Sequence, residues 1–159
     1  AEQNSGVDTV VTPVGNGTLI HGTYKGLREL DTVGLADGTP RMVGVQATGC
    51  NTIVDALQKG YDTPRAVESV DTVAGAIACA DPLDGDQAMA AITDSDGFGA
   101  AVTDEQILEA KKALARKEGI YAEEAAAAAF AGIKQNVDLF DSDERIVCVI
   151  CGHGLKTAR

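Results

Sequence analysis

The chain has 159 residues, 45% of them hydrophobic, enough for one domain that buries about 68–70% of its unfolded surface. Aromatic residues make up only 4% and Trp is absent, so tight helix–sheet packing is expected rather than an aromatic-lined groove. With a net charge of -11 there is no basic stripe for nucleic acid, and no apolar run approaches the roughly 20 residues of a membrane span.

In chain order, residues 8–12 read as a strand that breaks at Gly15-Asn16-Gly17. A helix over 18–30 follows, with Leu19, Ile20, Tyr24 and Leu27 at helical spacing. Asp37-Gly38-Thr39-Pro40 is a turn, 42–46 a short apolar strand, and 53–59 a helix ended by Gly60. Residues 63–82 are irregular, punctuated by Pro64 and Pro82, and lead to a helix over 84–95 and a strand over 97–102. Thr103-Asp104-Glu105-Gln106 has the Thr-x-x-Gln form of a capping box and opens a helix to about Lys117. The helix over 123–132 holds six alanines within eight positions, which permits close approach to a sheet or a cofactor. A last strand over 145–150 reads as buried and runs into Gly152-His153-Gly154. This alternation predicts an α/β fold: a mainly parallel, twisted sheet in three αβα layers, with right-handed crossovers and no domain boundary.

The glycine loop carries the clearest chemistry. A strand feeding a Gly-x-Gly turn at a helix N-terminus leaves main-chain N–H groups unpaired and aimed at one point, where the helix dipole also favours an anion. The lysine of a P-loop and the third glycine of a Rossmann fingerprint are both missing. Two readings stand, a phosphate cradle and a plain chain reversal. Of the four cysteines, Cys148 and Cys151 have the spacing of a redox or zinc half-site. Residues three apart on a strand point to opposite faces, and no second pair completes a ligand set, so reduced thiols and no metal are expected. Glu123 reads either as a group beside a cofactor or as a solvated acid in the first helical turn. His153, between two glycines, is expected to shape the turn rather than act as a base. The 15 Asp and 9 Glu are spread through loops and helix faces beside only 7 Lys. Such a surface resembles those of proteins from salt-loving archaea, in which salt screens self-repulsion.

The run Pro13-Val14-Gly15-Asn16-Gly17-Thr18 resembles the phosphate loop of fold-type II pyridoxal-phosphate enzymes, the threonine synthases in particular. Further stretches agree in order: Pro40-Arg41-Met42-Val43-Gly44-Val45-Gln46-Ala47, Glu105-Gln106-Ile107-Leu108-Glu109-Ala110 and Gly119-Ile120-Tyr121-Ala122-Glu123. The closing residues, Cys148 to Lys156, resemble that family's "CVLTGHGLK". The resemblance implies that Gly15, Asn16, Gly17 and Thr18 hold the phosphate of pyridoxal 5'-phosphate. It puts Cys151 where the family has a Thr that meets the pyridine nitrogen. Related dehydratases carry Ser or Cys there; a buried strand-end thiol is the plain alternative. Where the family commonly reads Glu-Pro-Ala-Ser-Ala, this chain has Glu123-Glu124-Ala125-Ala126-Ala127.

The family's Schiff-base lysine belongs to an N-terminal portion that this sequence does not contain, and residues 1–3 look like the end of a family helix. The resemblance thus implies a single C-terminal segment over 1–159 with no catalytic residue of its own. Its intact parent would be a cytoplasmic lyase converting O-phosphohomoserine and water to threonine and phosphate. That parent would be a homo-oligomer, or this chain would pair with the missing half. Cysteate synthase or threonine dehydratase chemistry is the alternative within the class. A non-catalytic module for a phosphorylated small molecule or a partner chain is the alternative outside it.

Overall fold

The computed structural model describes residues 6–157, so the helix end expected at residues 1–3 lies outside the described residues. Strands β1 (Thr9–Pro13), β2 (Arg41–Ala47), β3 (Phe98–Val102) and β4 (Ile146–Cys148) form one sheet in the order β3-β2-β1-β4. Every pairing is parallel. Parallel neighbours need a crossover, and the long connections here carry helices α1 (Thr18–Thr32), α2 (Thr52–Lys59), α3 (Gly85–Asp94), α4 (Asp104–Ala113) and α5 (Glu124–Gln135).

Successive strand residues face opposite sides, so each strand feeds two cores. Val10 and Met42 join Ile20, Ile53, Ala88 and Ile92 beneath α1, α2 and α3. Val11, Val43 and Val45 join Ile107, Ala110 and the alanines of α5 on the other face. The result is the expected αβα sandwich. Small side chains let α5 sit close: Ala125 to Ala129 are at most 3% exposed, and a Cβ on Gly132 would stand 2.5 Å from Val45 Cγ2.

Gln46 is the buried polar residue of β2. Its Oε1 accepts the Ile53 and Val54 N–H groups at 2.9 and 3.0 Å, so it caps α2 from the neighbouring strand. Asn51, at the N-cap position, makes no side-chain cap bond. The capping box of α4 is formed: Thr103 Oγ1 accepts the Gln106 N–H at 3.3 Å, and Gln106 Oε1 accepts the Thr103 N–H at 2.8 Å.

At the N-terminal ends of the strands, Glu144 accepts hydrogen bonds from the Thr9 hydroxyl, the Asp141 N–H (2.9 Å) and Arg41 (2.7 Å). The Arg41 guanidinium also lies 5.7 and 5.4 Å from the ring centroids of Phe98 and Phe140.

Two expectations need correction, and a third needs refining. The last strand is shorter and only half-buried, with Val147 39% exposed, because among the described residues β4 pairs with β1 alone and forms a sheet edge. Cys151 lies beyond it, so strand alternation does not set its direction. The helix expected to reach about Lys117 does run on to Glu118, but its last five residues, Leu114–Glu118, are wound as a π-type turn that closes at Gly119. Leu19, placed on the apolar face of α1, is instead 40% exposed.

Candidate phosphate-binding site

The Val14 N–H still bonds to Val45 O at 2.8 Å, after which the chain leaves the sheet and turns into α1. His21 is the first residue of that turn whose N–H finds an acceptor, Gly17 O at 3.1 Å. Among the described residues, the N–H groups of Gly15 to Leu19 have none. A 15-residue helix stands directly behind them, so its positive end reinforces the same point in space.

The loop owes its shape to a wall formed by residues 77–84. Gly17 has φ +97°, and a Cβ there would meet Asp84 O at 2.5 Å. Asn16 O accepts the Asp84 N–H at 3.0 Å, and Asn16 Oδ1 accepts the Leu83 N–H at 2.7 Å. The Thr18 hydroxyl bonds to the Asp84 carboxylate. Thus the hydroxyl of Thr18 and the carbonyl of Asn16 are committed to the wall. The main-chain N–H groups and the Asn16 NH2 remain as the loop's uncommitted donors.

A cavity of about 220 Å³ opens over these donors. Gly15, Asn16, Gly17, Thr18 and Cys151, far apart in sequence, all line it, together with Ile77, Glu123 and Ala125. Ile77 has no local signal in the sequence, since it lies in the irregular stretch; only the fold brings it here.

Glu123 is not a solvated helix acid. It is 4% exposed, reaches Lys156 Nζ at 3.3 Å and packs so tightly on Gly152 that any Cβ there would overlap its carboxylate. Its neighbour Glu124 accepts from Lys111 Nζ (2.7 Å) and the Thr157 hydroxyl (2.8 Å). Burial pushes the Glu124 carboxyl up, but those bonds and a main-chain N–H outweigh it and hold the carboxyl below its ordinary value. The Glu123 N–H bonds to Gly152 O at 3.0 Å, and the Gly154 N–H bonds to Tyr121 O at 2.6 Å. Residues 152–157 are therefore strapped across the start of α5, and the strap fixes Cys151 at the cavity wall. His153 Nδ1 accepts the Leu155 N–H at 3.1 Å, and the ring stands edge-on to Tyr121, so this histidine shapes the turn.

The Cys151 thiol is pushed up by partial burial and then by the Glu123 charge, with its own main-chain bond and Lys156 pulling the other way. It is therefore a neutral thiol at neutral pH. Burial pushes Cys148 up to about 12, which leaves it inert as a nucleophile. Among the described residues no group of three or more His, Cys, Asp or Glu is placed to hold a metal ion.

A parallel αβα sheet whose first strand ends in a glycine loop, with unpaired N–H groups at a helix N-terminus, defines a class of proteins that bind a phosphorylated ligand. Residues 1–152 match the family described as "Pyridoxal-phosphate dependent enzyme", and the chain belongs to that family. It is 44% identical over 151 residues to the threonine synthases of Methanocaldococcus jannaschii and Methanosarcina acetivorans. In both cases the match covers 94% of this chain and 37% of the relative, so the chain spans well under half their length. Its fold matches threonine deaminase isoform 2 from Solanum lycopersicum, with a TM-score of 0.77 and 22% identity over 96% of this chain and 39% of that one. Threonine synthase from Escherichia coli gives 0.73 and 18% identity, covering 98% and 35%.

Proposed function

We propose that this chain supplies the cofactor-phosphate side of a threonine synthase-like enzyme that takes a phosphorylated small amino acid, O-phosphohomoserine, to threonine and phosphate. The observation that carries the reading is the row of acceptor-free N–H groups from Gly15 to Leu19, facing a cavity that also holds Cys151. A phosphate dianion supplies the acceptors those donors lack, so the residues present fit the group. When bound, pyridoxal 5'-phosphate supplies an electron sink for carbanion chemistry on the amino acid.

This chain's own part is to bind and orient. The loop N–H groups and the Asn16 NH2 hold the phosphate, and the Thr18 side chain keeps the loop in place through Asp84. The Cys151 thiol would meet the ring nitrogen as a neutral partner, leaving that nitrogen largely unprotonated. Lys156 balances the buried Glu123 charge, so the anionic ligand does not face a bare carboxylate. The Schiff-base lysine comes from outside these 159 residues, through the remainder of the enzyme or a second subunit. Among the described residues no helix is long and apolar enough to cross a membrane, and a cytoplasmic setting suits a small-molecule lyase. Cys151 is the observation that favours a second reading, a fold-type II dehydratase.

The test is a titration followed by NMR. With inorganic phosphate, and with pyridoxal 5'-phosphate, the Gly15 and Gly17 amides should shift in a saturable way. Asn16→Asp keeps an acceptor for the Leu83 N–H but places a negative charge beside the cradle, and should weaken binding by about tenfold or more. Gly38→Asp adds the same charge in an exposed turn, at some local backbone strain from its φ of +92°, and should bind like the parent. Amides that do not move, or an Asn16→Asp protein that binds unchanged, would reduce the loop to a chain reversal.

A further inference from the structure

Two cysteines that no part of this function uses lie against each other behind the phosphate loop. Cys50, 2% exposed, ends the short turn Thr48–Cys50 after β2. Its Sγ lies 2.9 Å from Cys79 O and 3.1 Å from Cys79 N, held against the main chain of the second cysteine. Since the N–Cα bond is about 1.46 Å, the Cys79 Cα lies within about 4.6 Å of that sulfur, a separation compatible with a disulfide. The Cys79 thiol itself points elsewhere, to Asn16 Oδ1 at 3.6 Å, and is partly open to solvent. Both thiols are free. Closing a bridge requires the Cys79 thiol to leave Asn16 and turn toward Cys50.

We propose that Cys50 and Cys79 are an oxidisable pair, and that closing it withdraws one of the two hydrogen bonds holding the Asn16 side chain. The partly open Cys79 reacts first. Its sulfur takes an oxygen from a hydroperoxide as the O–O bond breaks; with hydrogen peroxide this gives a sulfenic acid and one water. Burial pushes the Cys50 thiol up and its bond to the Cys79 main chain pulls it down. It therefore attacks as its proton passes to the departing oxygen: the Cys50–Cys79 S–S bond forms, the S–O bond breaks, and a second water leaves. Two thiols are oxidised to one disulfide while one peroxide is reduced to two waters. Asn16 Oδ1 keeps the Leu83 N–H but loses the Cys79 S–H, so the tip of the loop is less firmly set. The bridge itself is independent of the phosphate-site reading; its effect on the loop rests on it.

The experiment treats the folded protein with hydrogen peroxide, blocks residual thiols and maps peptides by mass spectrometry without reduction. The expected product is a Cys50–Cys79 cross-link that dithiothreitol reverses and that Cys79→Ser abolishes. Cys79→Ser alters only a partly open position, so the result does not hang on the buried Cys50. A cross-link between Cys148 and Cys151 instead, or sulfinic acid at Cys79 with no cross-link, overturns the proposal. Inorganic phosphate is then titrated into the oxidised and reduced forms by following the Gly15 and Gly17 amides. Oxidation should weaken binding about two- to tenfold, in line with one lost hydrogen bond, and peroxide should change nothing in Cys79→Ser. A cross-link that leaves phosphate affinity unchanged refutes the coupling. If the reduced protein binds no phosphate, the functional reading fails while the cross-link result stands.

Discussion

Gln46→Leu isolates one interaction that sequence spacing does not reveal. The substitution nearly preserves volume in a fully buried position but removes the single acceptor of two main-chain N–H groups, Ile53 and Val54. Leaving a buried donor unpaired costs about 1–3 kcal/mol each. Against that loss, Gln46 Nε2 has no hydrogen-bond partner, so replacing it removes one orphaned group of comparable size. One net orphan remains, which sets the destabilisation at about 2 kcal/mol. With a urea slope of about 1–3 kcal/mol per M, the unfolding midpoint should fall by about 1 M at unchanged slope. Hydrogen exchange localises the effect: the Ile53 and Val54 amides should lose protection while those of α4 keep theirs. A midpoint within about 0.2 M of the parent, with both amides still protected, would refute the assignment of Gln46 as the cap of α2.

The acidic surface predicts a thermal midpoint that rises with KCl, because the Debye length shrinks from about 8 Å at 0.15 M to about 3 Å at 1 M. Melts from low to multi-molar salt check this, and a flat or falling midpoint would sink the salt-adapted reading of the -11 charge. Burial pushes the Glu144 carboxyl up, but bonds from Thr9, the Asp141 N–H and Arg41 outweigh it and leave the group below its ordinary value. Its folded form thus binds a proton less readily than its unfolded form. The stability it adds is complete above the ordinary carboxylate range and lost as pH falls through the lowered value. Urea midpoints of the parent and Glu144→Gln should therefore differ most near neutral pH and converge in acid. A gap that stays constant down to pH about 3 would rule that contribution out.

Much of the scaffold was legible because local and global signals agree in it. The break from apolar strand to Gly15 and Gly17, the Thr103–Gln106 box and the alanine face of α5 each specify what the fold then uses. The resemblance, and not periodicity, picked out Cys151, and the fold places that residue on the cavity lined by the glycine loop. Other features were illegible because they depend on partners remote in sequence. Gln46 reads as an ordinary polar interruption until α2 folds over it. Asp84, 66 residues from Thr18, reads as a helix-start acid and turns out to engage its hydroxyl. Cys50 and Cys79 are separated by α2 and then by an irregular stretch, in which Cys79 lies, with no period to count. The change from α to π winding after Ala113 was equally hidden, because Leu-Ala-Arg-Lys-Glu has the composition of an ordinary helix.

The strap across the start of α5 has a consequence for a chain with this surface. Glu123 and Glu124 fasten that strap with an electrostatic clasp. That clasp is in two parts with different exposure. The Lys111–Glu124 pair is shielded on both sides, at 15% and 17%, whereas Lys156, which reaches Glu123, is 66% exposed. Mobile ions screen exposed charges strongly and shielded ones far less. In concentrated salt the outer fastening slackens while the inner one, with the Thr157 hydroxyl on the same carboxylate, keeps the last turn in register. The two fastenings thus differ in how far ionic strength can act on them, while the main-chain bonds from Glu123 to Gly152 and from Gly154 to Tyr121, which salt does not screen, keep Cys151 at the cavity wall.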